Sequence, residues 1–261
     1  MKHSETFHSI QGEGKLVGTP SVFFRTSFCN LRCVWCDTPY TSWEPEDVDI
    51  SVKAAGRSIL DYDCRHVVIT GGEPFIQGPE LAALCALLTD AGKHVTIETN
   101  ATVFEPVSAA LISMSPKLRN STPTDDPWAT RHDERRLEID VIRAFLDGYS
   151  CQVKFVVENP ADMTEVYEIQ AAARIPAEDI VLMPQGLTPD ETRPRMEWHK
   201  KGYESGNLKM ATDGGKKRRE KRTNTKKKKK EKKKNKEKQK KGQWNGKKQP
   251  KKQKKEEEQT N

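Results

Sequence analysis

Short apolar runs rich in β-branched residues recur through the first 199 positions, at Ser21–Thr26, His66–Thr70, His94–Thr99, Ala110–Ser113, Gln152–Val157 and Ile180–Met183. Each is bounded by Gly, Pro or Asn, and each predicts a strand. Between them lie longer segments with helical spacing: Ser51–Asp61, Pro79–Ala91, Glu134–Leu146 and Ala161–Ala173. In the last, Met163, Val166, Tyr167 and Ile169 fall near one face. Pro79 suits a first helical turn and Gly92 a helix stop. Strands alternating with helices at this spacing predict a mostly parallel sheet, an α/β fold. Parallel α/β folds hold ligands at the carboxyl ends of their strands, so a site is expected there. Residues 115–133 are too polar and Pro-rich for a core element and predict a long functional or mobile loop.

Charge divides the chain more sharply than hydropathy does. Residues 1–199 hold 18 Lys+Arg against 30 Asp+Glu, a net −12, while residues 200–261 hold 27 basic and 8 acidic residues, a net +19. From Lys216 to Asn261 the only large apolar residue is Trp244. Such a segment has nothing to offset its ordering entropy, so a disordered basic tail over 200–261 is expected behind a core domain over 1–199. The longest strongly apolar run, Leu81–Leu88, is too short to span a bilayer. The start, Met1-Lys2-His3-Ser4-Glu5, opens no basic-then-apolar signal, and a cytoplasmic, reducing compartment is expected. Six cysteines there point to metal binding, catalysis or burial rather than disulfides.

Cys29-Asn-Leu-Arg-Cys33-Val-Trp-Cys36 places three thiols within eight residues. Structural zinc takes four closed ligands, and no fourth Cys or His lies nearby. Three cysteines suit a [4Fe–4S] cluster with one iron left open to bind a small molecule. An incomplete zinc site and chance clustering are the plainer alternatives.

Cys-x3-Cys-x2-Cys after a first strand resembles the radical S-adenosylmethionine (SAM) superfamily. The flanks Ser9-Ile10-Gln11-Gly12-Glu13-Gly14, Gly18-Thr19-Pro20-Ser21 and Trp35-Cys36-Asp37-Thr38-Pro39-Tyr40 resemble the 7-carboxy-7-deazaguanine synthase family. Thr70-Gly71-Gly72-Glu73-Pro74, Glu98-Thr99-Asn100, Ser115-Pro116-Lys117, Gln152-Val153-Lys154-Phe155 and Met183-Pro184-Gln185-Gly186 continue the match in order. The resemblance implies a partial (βα) barrel. It implies a lyase that turns 6-carboxy-5,6,7,8-tetrahydropterin into 7-carboxy-7-deazaguanine with loss of ammonia, a step of queuosine-type biosynthesis. It implies a [4Fe–4S] cluster, SAM, Mg²⁺, an electron donor such as flavodoxin, and a homodimer.

By the same resemblance Cys29, Cys33 and Cys36 ligate the cluster, and Thr38 binds Mg²⁺. Trp35, Cys36, Asp37, Gly72, Ser115, Pro116, Lys117, Met183, Pro184, Gln185 and Gly186 contact SAM. Ile10, Gln11, Gly12, Arg25 and Thr70 contact substrate, with Glu13 beside them. The residues have physics of their own. A hydroxyl such as that of Thr38 is a hard ligand suited to Mg²⁺, and Asp37 rivals it by charge. The Arg25 guanidinium grips a carboxylate bidentately. Glycines at 71 and 72 let a ligand approach the backbone. Lys154 inside an apolar strand requires a buried ion pair or a polar lumen.

The tail departs from the family. After Met196-Glu197-Trp198-His199 the sequence turns lysine-rich, and no final strand is expected. The tail reads as an arm for nucleic acid or acidic surfaces, as a nuclear-localisation-like patch, or as a shifted or read-through frame. Two rival functions follow: a radical SAM activase of another protein, or an impaired enzyme whose tail binds nucleic acid.

Overall fold

A computed structural model of the chain describes residues 1–186, 188, 190–195 and 209–210. The disorder expected over 200–261 falls outside these residues, apart from 209–210. One open sheet of nine strands dominates, in the order β3-β1-β2-β4-β5-β6-β7-β8-β9. Strands β2 (Pro20–Thr26), β4 (His66–Gly71), β5 (His94–Thr99), β6 (Leu111–Met114), β7 (Cys151–Val157) and β8 (Ile180–Pro184) run parallel in succession. They coincide with the six predicted runs. Buried on both faces, they read as near-continuous apolar segments, which is why the sequence reveals them.

Helices α1 (Val52–Leu60), α2 (Gly78–Asp90), α4 (Ile139–Gly148) and α5 (Asp162–Ala173) cover the sheet. Ser51 caps α1 by accepting a hydrogen bond from the Ala54 amide at 3.2 Å. Pro79 lies in the first turn of α2, which buries Leu81, Leu84, Cys85 and Leu88 at helical spacing. The chain leaves α2 through Gly92 at φ +73°, the stop expected there. Between sheet and helices the core is packed around Phe24, Phe75, Phe145 and Phe155. Phe145 sits 5.0 Å from both Phe75 and Phe104, tilted to each.

Four features differ from the sequence reading. Strand β1 (Lys2–Ile10) pairs antiparallel with β2, and β3 (Val48–Asp49) pairs with β1. Both are edge elements with polar, partly exposed side chains, so no apolar run announces them. Inside the expected loop, Ala129–Arg135 forms helix α3, and the helix expected at Glu134 begins only at Ile139. The break falls where the Arg136 guanidinium turns inward to Glu165 Oε1, at 2.7 Å, and to the Lys117 carbonyl. On α5 the buried face is Val166, Ile169 and Ala173; Tyr167 is half exposed, because Glu165 takes the neighbouring inward position to meet Arg136. Finally, β9 (Lys209–Met210) pairs parallel with β8, where no strand was expected. Sheet pairing uses backbone N–H and C=O groups, which a lysine-rich composition does not remove.

Candidate active site

Because β2, β4, β5, β6, β7 and β8 are parallel, their carboxyl ends meet at one edge of the sheet. There they enclose a cavity of about 290 Å³. The loop Cys29–Cys36 follows β2 directly and brings all three cysteine thiols into its lining. Phe28 turns the chain out of the strand at φ +74°, and the side chain of Leu31 is buried beneath. The loop is bonded inwardly: the Leu31 amide meets Cys29 Sγ at 3.4 Å, and the Cys36 amide donates to the Cys33 carbonyl at 3.2 Å. Asn100 Nδ2 approaches Cys29 Sγ at 3.9 Å while donating to Asn30 Oδ1 at 2.9 Å.

Burial pushes the Cys29 thiol up to about 12 and the Cys33 thiol up to about 11. Thiols so buried ionise when a positive centre replaces the proton, which suits metal ligation rather than free nucleophilic work. Among the described residues, no three His, Cys, Asp or Glu side chains converge closely enough to hold a single metal ion. The three thiols nonetheless line one cavity, the arrangement that the cluster expected from their spacing requires. Cys64, Cys85 and Cys151 are each buried elsewhere in the core.

The other sequence-predicted residues separate into two groups. Arg25, Trp35, Asp37, Thr38, Thr70, Gly72, Ser115, Lys117, Met183, Pro184, Gln185 and Gly186 all line the cavity. Ile10, Gln11, Gly12 and Pro116 do not. Ile10 is 62% exposed on β1, and Pro116 is buried outside the lining. Gln11 stands one residue back, donating to Glu98 Oε1 at 3.1 Å.

Glu98 is the residue given no role in the sequence reading. It accepts from Gln11 and from the Thr70 hydroxyl at 2.8 Å, and it lies 3.8 Å from Lys154 Nζ. Burial works against its charge, but Lys154 and these donors hold the carboxyl below its usual range. Lys154 also pairs with Glu13, and the two acids hold the buried ammonium charged despite desolvation. The buried ion pair expected for this lysine is therefore present, and it faces the cavity. A sequence signal existed: a charged residue in an apolar strand needs a partner, and Glu98 is an acid near the end of β5, two strands away.

Arg25 donates through Nε to Glu5 Oε1 at 2.8 Å, and the Tyr40 hydroxyl reaches the same oxygen at 2.9 Å. No described protein group accepts from the two terminal nitrogens of Arg25, which stay available to a ligand. Thr38 is buried, and its hydroxyl lies 3.4 Å from Asp37 Oδ1. Lys117 donates to Ser115 Oγ at 3.0 Å and stands 5.5 Å over the Trp35 ring.

Two residues build the floor. A Cβ on Gly72 would lie 1.9 Å from the Phe28 carbonyl oxygen, so β4 and the start of the cysteine loop touch only because this side chain is missing. Gly72→Ala is expected to push Phe28 outward, lowering both iron uptake and the apo-protein's thermal midpoint; both are read on reconstituted and metal-free samples. Glu73 is fully buried and accepts from the Phe75 amide, the Thr99 hydroxyl and the Asn100 amide. Burial outweighs these donors and raises its carboxyl to about 7. Glu73→Ala leaves those donors unmet and is expected to cost about 3 kcal/mol or more, read as a fall in denaturant midpoint.

Residues 23–117 match the Radical SAM superfamily. With three thiols lining the cavity at the carboxyl ends of a parallel α/β sheet, this defines the chain as a radical SAM protein, a class that carries a [4Fe–4S] cluster and uses SAM. A 7-carboxy-7-deazaguanine synthase of Halobacterium salinarum is 47% identical over 199 residues, covering 71% of this chain and 77% of that protein. Another, of Rhodopirellula baltica, is 44% identical over 199 residues, covering 75% and 77%. The crystal structure of QueE from Escherichia coli is similar with a TM-score of 0.57 at 25% identity, covering 80% of this chain and 92% of that one. The chain belongs to the 7-carboxy-7-deazaguanine synthase family.

Proposed function

We propose that this chain is a radical SAM lyase that converts 6-carboxy-5,6,7,8-tetrahydropterin to 7-carboxy-7-deazaguanine with loss of ammonia. The observation that carries this reading is the joining, in one cavity, of three free thiols with an arginine whose terminal nitrogens are open. When bound, the cluster and SAM supply a carbon radical able to abstract hydrogen. The chain's own residues do the rest. Cys29, Cys33 and Cys36 hold the iron. Trp35, Asp37, Gly72, Ser115, Lys117 and Met183–Gly186 line the same cavity and orient SAM. Arg25 binds the pterin carboxylate. Thr70, held by Glu98, presents its hydroxyl to the ring. Glu98 and Lys154 form a fixed pair of opposite charge that offers the ring an acceptor and a donor without giving up a proton. Apolar walls such as Phe23 and the buried Leu31 exclude water, which would otherwise quench a radical.

Mg²⁺ is assigned to Thr38, with Asp37 beside it. A homodimer and a flavodoxin-like electron donor complete the reading. Six free cysteines accord with a reducing, cytoplasmic setting, and no helix among the described residues is long and apolar enough to cross a membrane. Residues 1–199 supply the catalytic core, and 200–261 a basic tail whose early part contributes β9. Nucleic-acid binding remains a property of that tail alone. The activase alternative lacks support from the remaining cysteines, which are buried singly.

The test is anaerobic turnover of reconstituted protein with SAM, dithionite and 6-carboxytetrahydropterin. The deazaguanine and 5′-deoxyadenosine are expected together. 5′-Deoxyadenosine without the deazaguanine would overturn the substrate assignment.

A further inference from the structure

The polar segment after β6 and helix α3 do more than close the fold. The Arg32 amide, between Cys29 and Cys33, donates to His132 Nδ1 at 3.0 Å. His132 Nε2 meets Ser121 Oγ at 3.0 Å, and that hydroxyl donates to the Leu118 carbonyl at 2.6 Å. The order of donors is forced. A backbone amide can only donate, so Nδ1 must be bare and Nε2 must carry the proton. The Ser121 hydroxyl spends its own proton on Leu118 and accepts from Nε2. Each partner is satisfied, and His132 and Ser121 are both fully buried.

Two further bonds join the same segments. The Val34 amide donates to the Ser121 carbonyl at 2.9 Å, and Trp35 Nε1 donates to the Asn120 carbonyl at 3.1 Å. The loop between the cysteines is thus bonded at Arg32, Val34 and Trp35 to a segment some 90 residues later. Burial and the neighbouring Arg136 hold the His132 ring neutral, with its imidazole lowered to about 4, consistent with the single tautomer.

We propose that His132 is a positioning residue for the cluster loop, its imidazole fixing the backbone between Cys29 and Cys33 in the shape that presents three thiols to one cube. The inference rests on the cluster reading above, but its first test does not need a cluster. Hydrogen exchange of the Arg32 and Val34 amides is measured in metal-free protein for the parent, His132→Phe, His132→Asn and Ser121→Ala. In His132→Phe both amides should exchange roughly tenfold faster, the loss of one buried hydrogen bond, while amides of β4 and β5 stay at the parent rate. His132→Asn offers a side-chain oxygen in place of Nδ1 and should recover part of the protection. Ser121→Ala, the gentler change, should give an intermediate effect.

Cluster lifetime in air-exposed, reconstituted protein should shorten in the same rank order, and the cluster's electron paramagnetic resonance signal should broaden in His132→Phe. Loop amides exchanging at the parent rate in both His132→Phe and Ser121→Ala would overturn the proposal. Parent protein that takes up no iron, yet shows the expected exchange pattern, would overturn the cluster reading and leave the clamp standing.

Discussion

Cys33→Ala is expected to emerge from anaerobic reconstitution colourless and nearly free of iron, with no turnover, while the parent chain is brown and holds about four irons. The effect is all-or-none because a cube with a vacant iron has no ligand to spare: three thiolates already leave one corner open. Cys33 is buried, so water cannot replace its sulfur readily. The fold should survive the change. What Cys33 contributes to its surroundings is its carbonyl, which accepts from Trp43 Nε1 at 3.1 Å and is kept in alanine. A metal-free circular dichroism spectrum like the parent's, together with the iron assay, separates lost ligation from lost folding. Parent protein that retains zinc, or no metal at all, would end the radical reading for this chain.

Arg25→Lys should lower kcat/KM for the carboxylated pterin about a hundredfold, mostly through KM. The guanidinium spends Nε on Glu5 and keeps its other two nitrogens as a fork. A lysine keeps the charge but presents one point donor, which cannot meet Glu5 and a carboxylate in the same geometry. Losing a charge-assisted pair of about 2 to 3 kcal/mol corresponds to about that factor in rate. The loss should shrink when the substrate analogue lacks its carboxylate, since nothing is then left for the fork to grip. Equal losses for both compounds would show that Arg25 acts on the fold and not on the ligand. The Glu5–Tyr40 arrangement supplies the reason for a rigid fork: two strands and the loop after Thr38 meet at one carboxylate oxygen.

The parallel strands could be read from the chain because each is buried on both faces, so the burial of Val67–Ile69 appears locally as an apolar run. The cysteine spacing was equally local: ligation of one cube by one short loop leaves its whole record within eight residues. The same holds for Pro79 and Gly92, whose backbone limits act at their own positions. Lys154 was half legible, since a charge in an apolar strand demands a partner without saying which.

What lay beyond reach were relations between distant segments. Gly72 was expected to admit a ligand; packing decided that it first admits the Phe28 carbonyl. Gln11 was placed on the substrate, yet its amide is taken by Glu98 across 87 positions of chain. His132 lay in a stretch read as a loop, and its partner Arg32 is 100 residues away. Strand β1 is polar and half exposed, and only its pairing with β2 makes it a strand. A local pattern records how a segment meets solvent or core. It carries no trace of which remote donor will meet which acceptor, because that is settled only when the sheet brings their ends together.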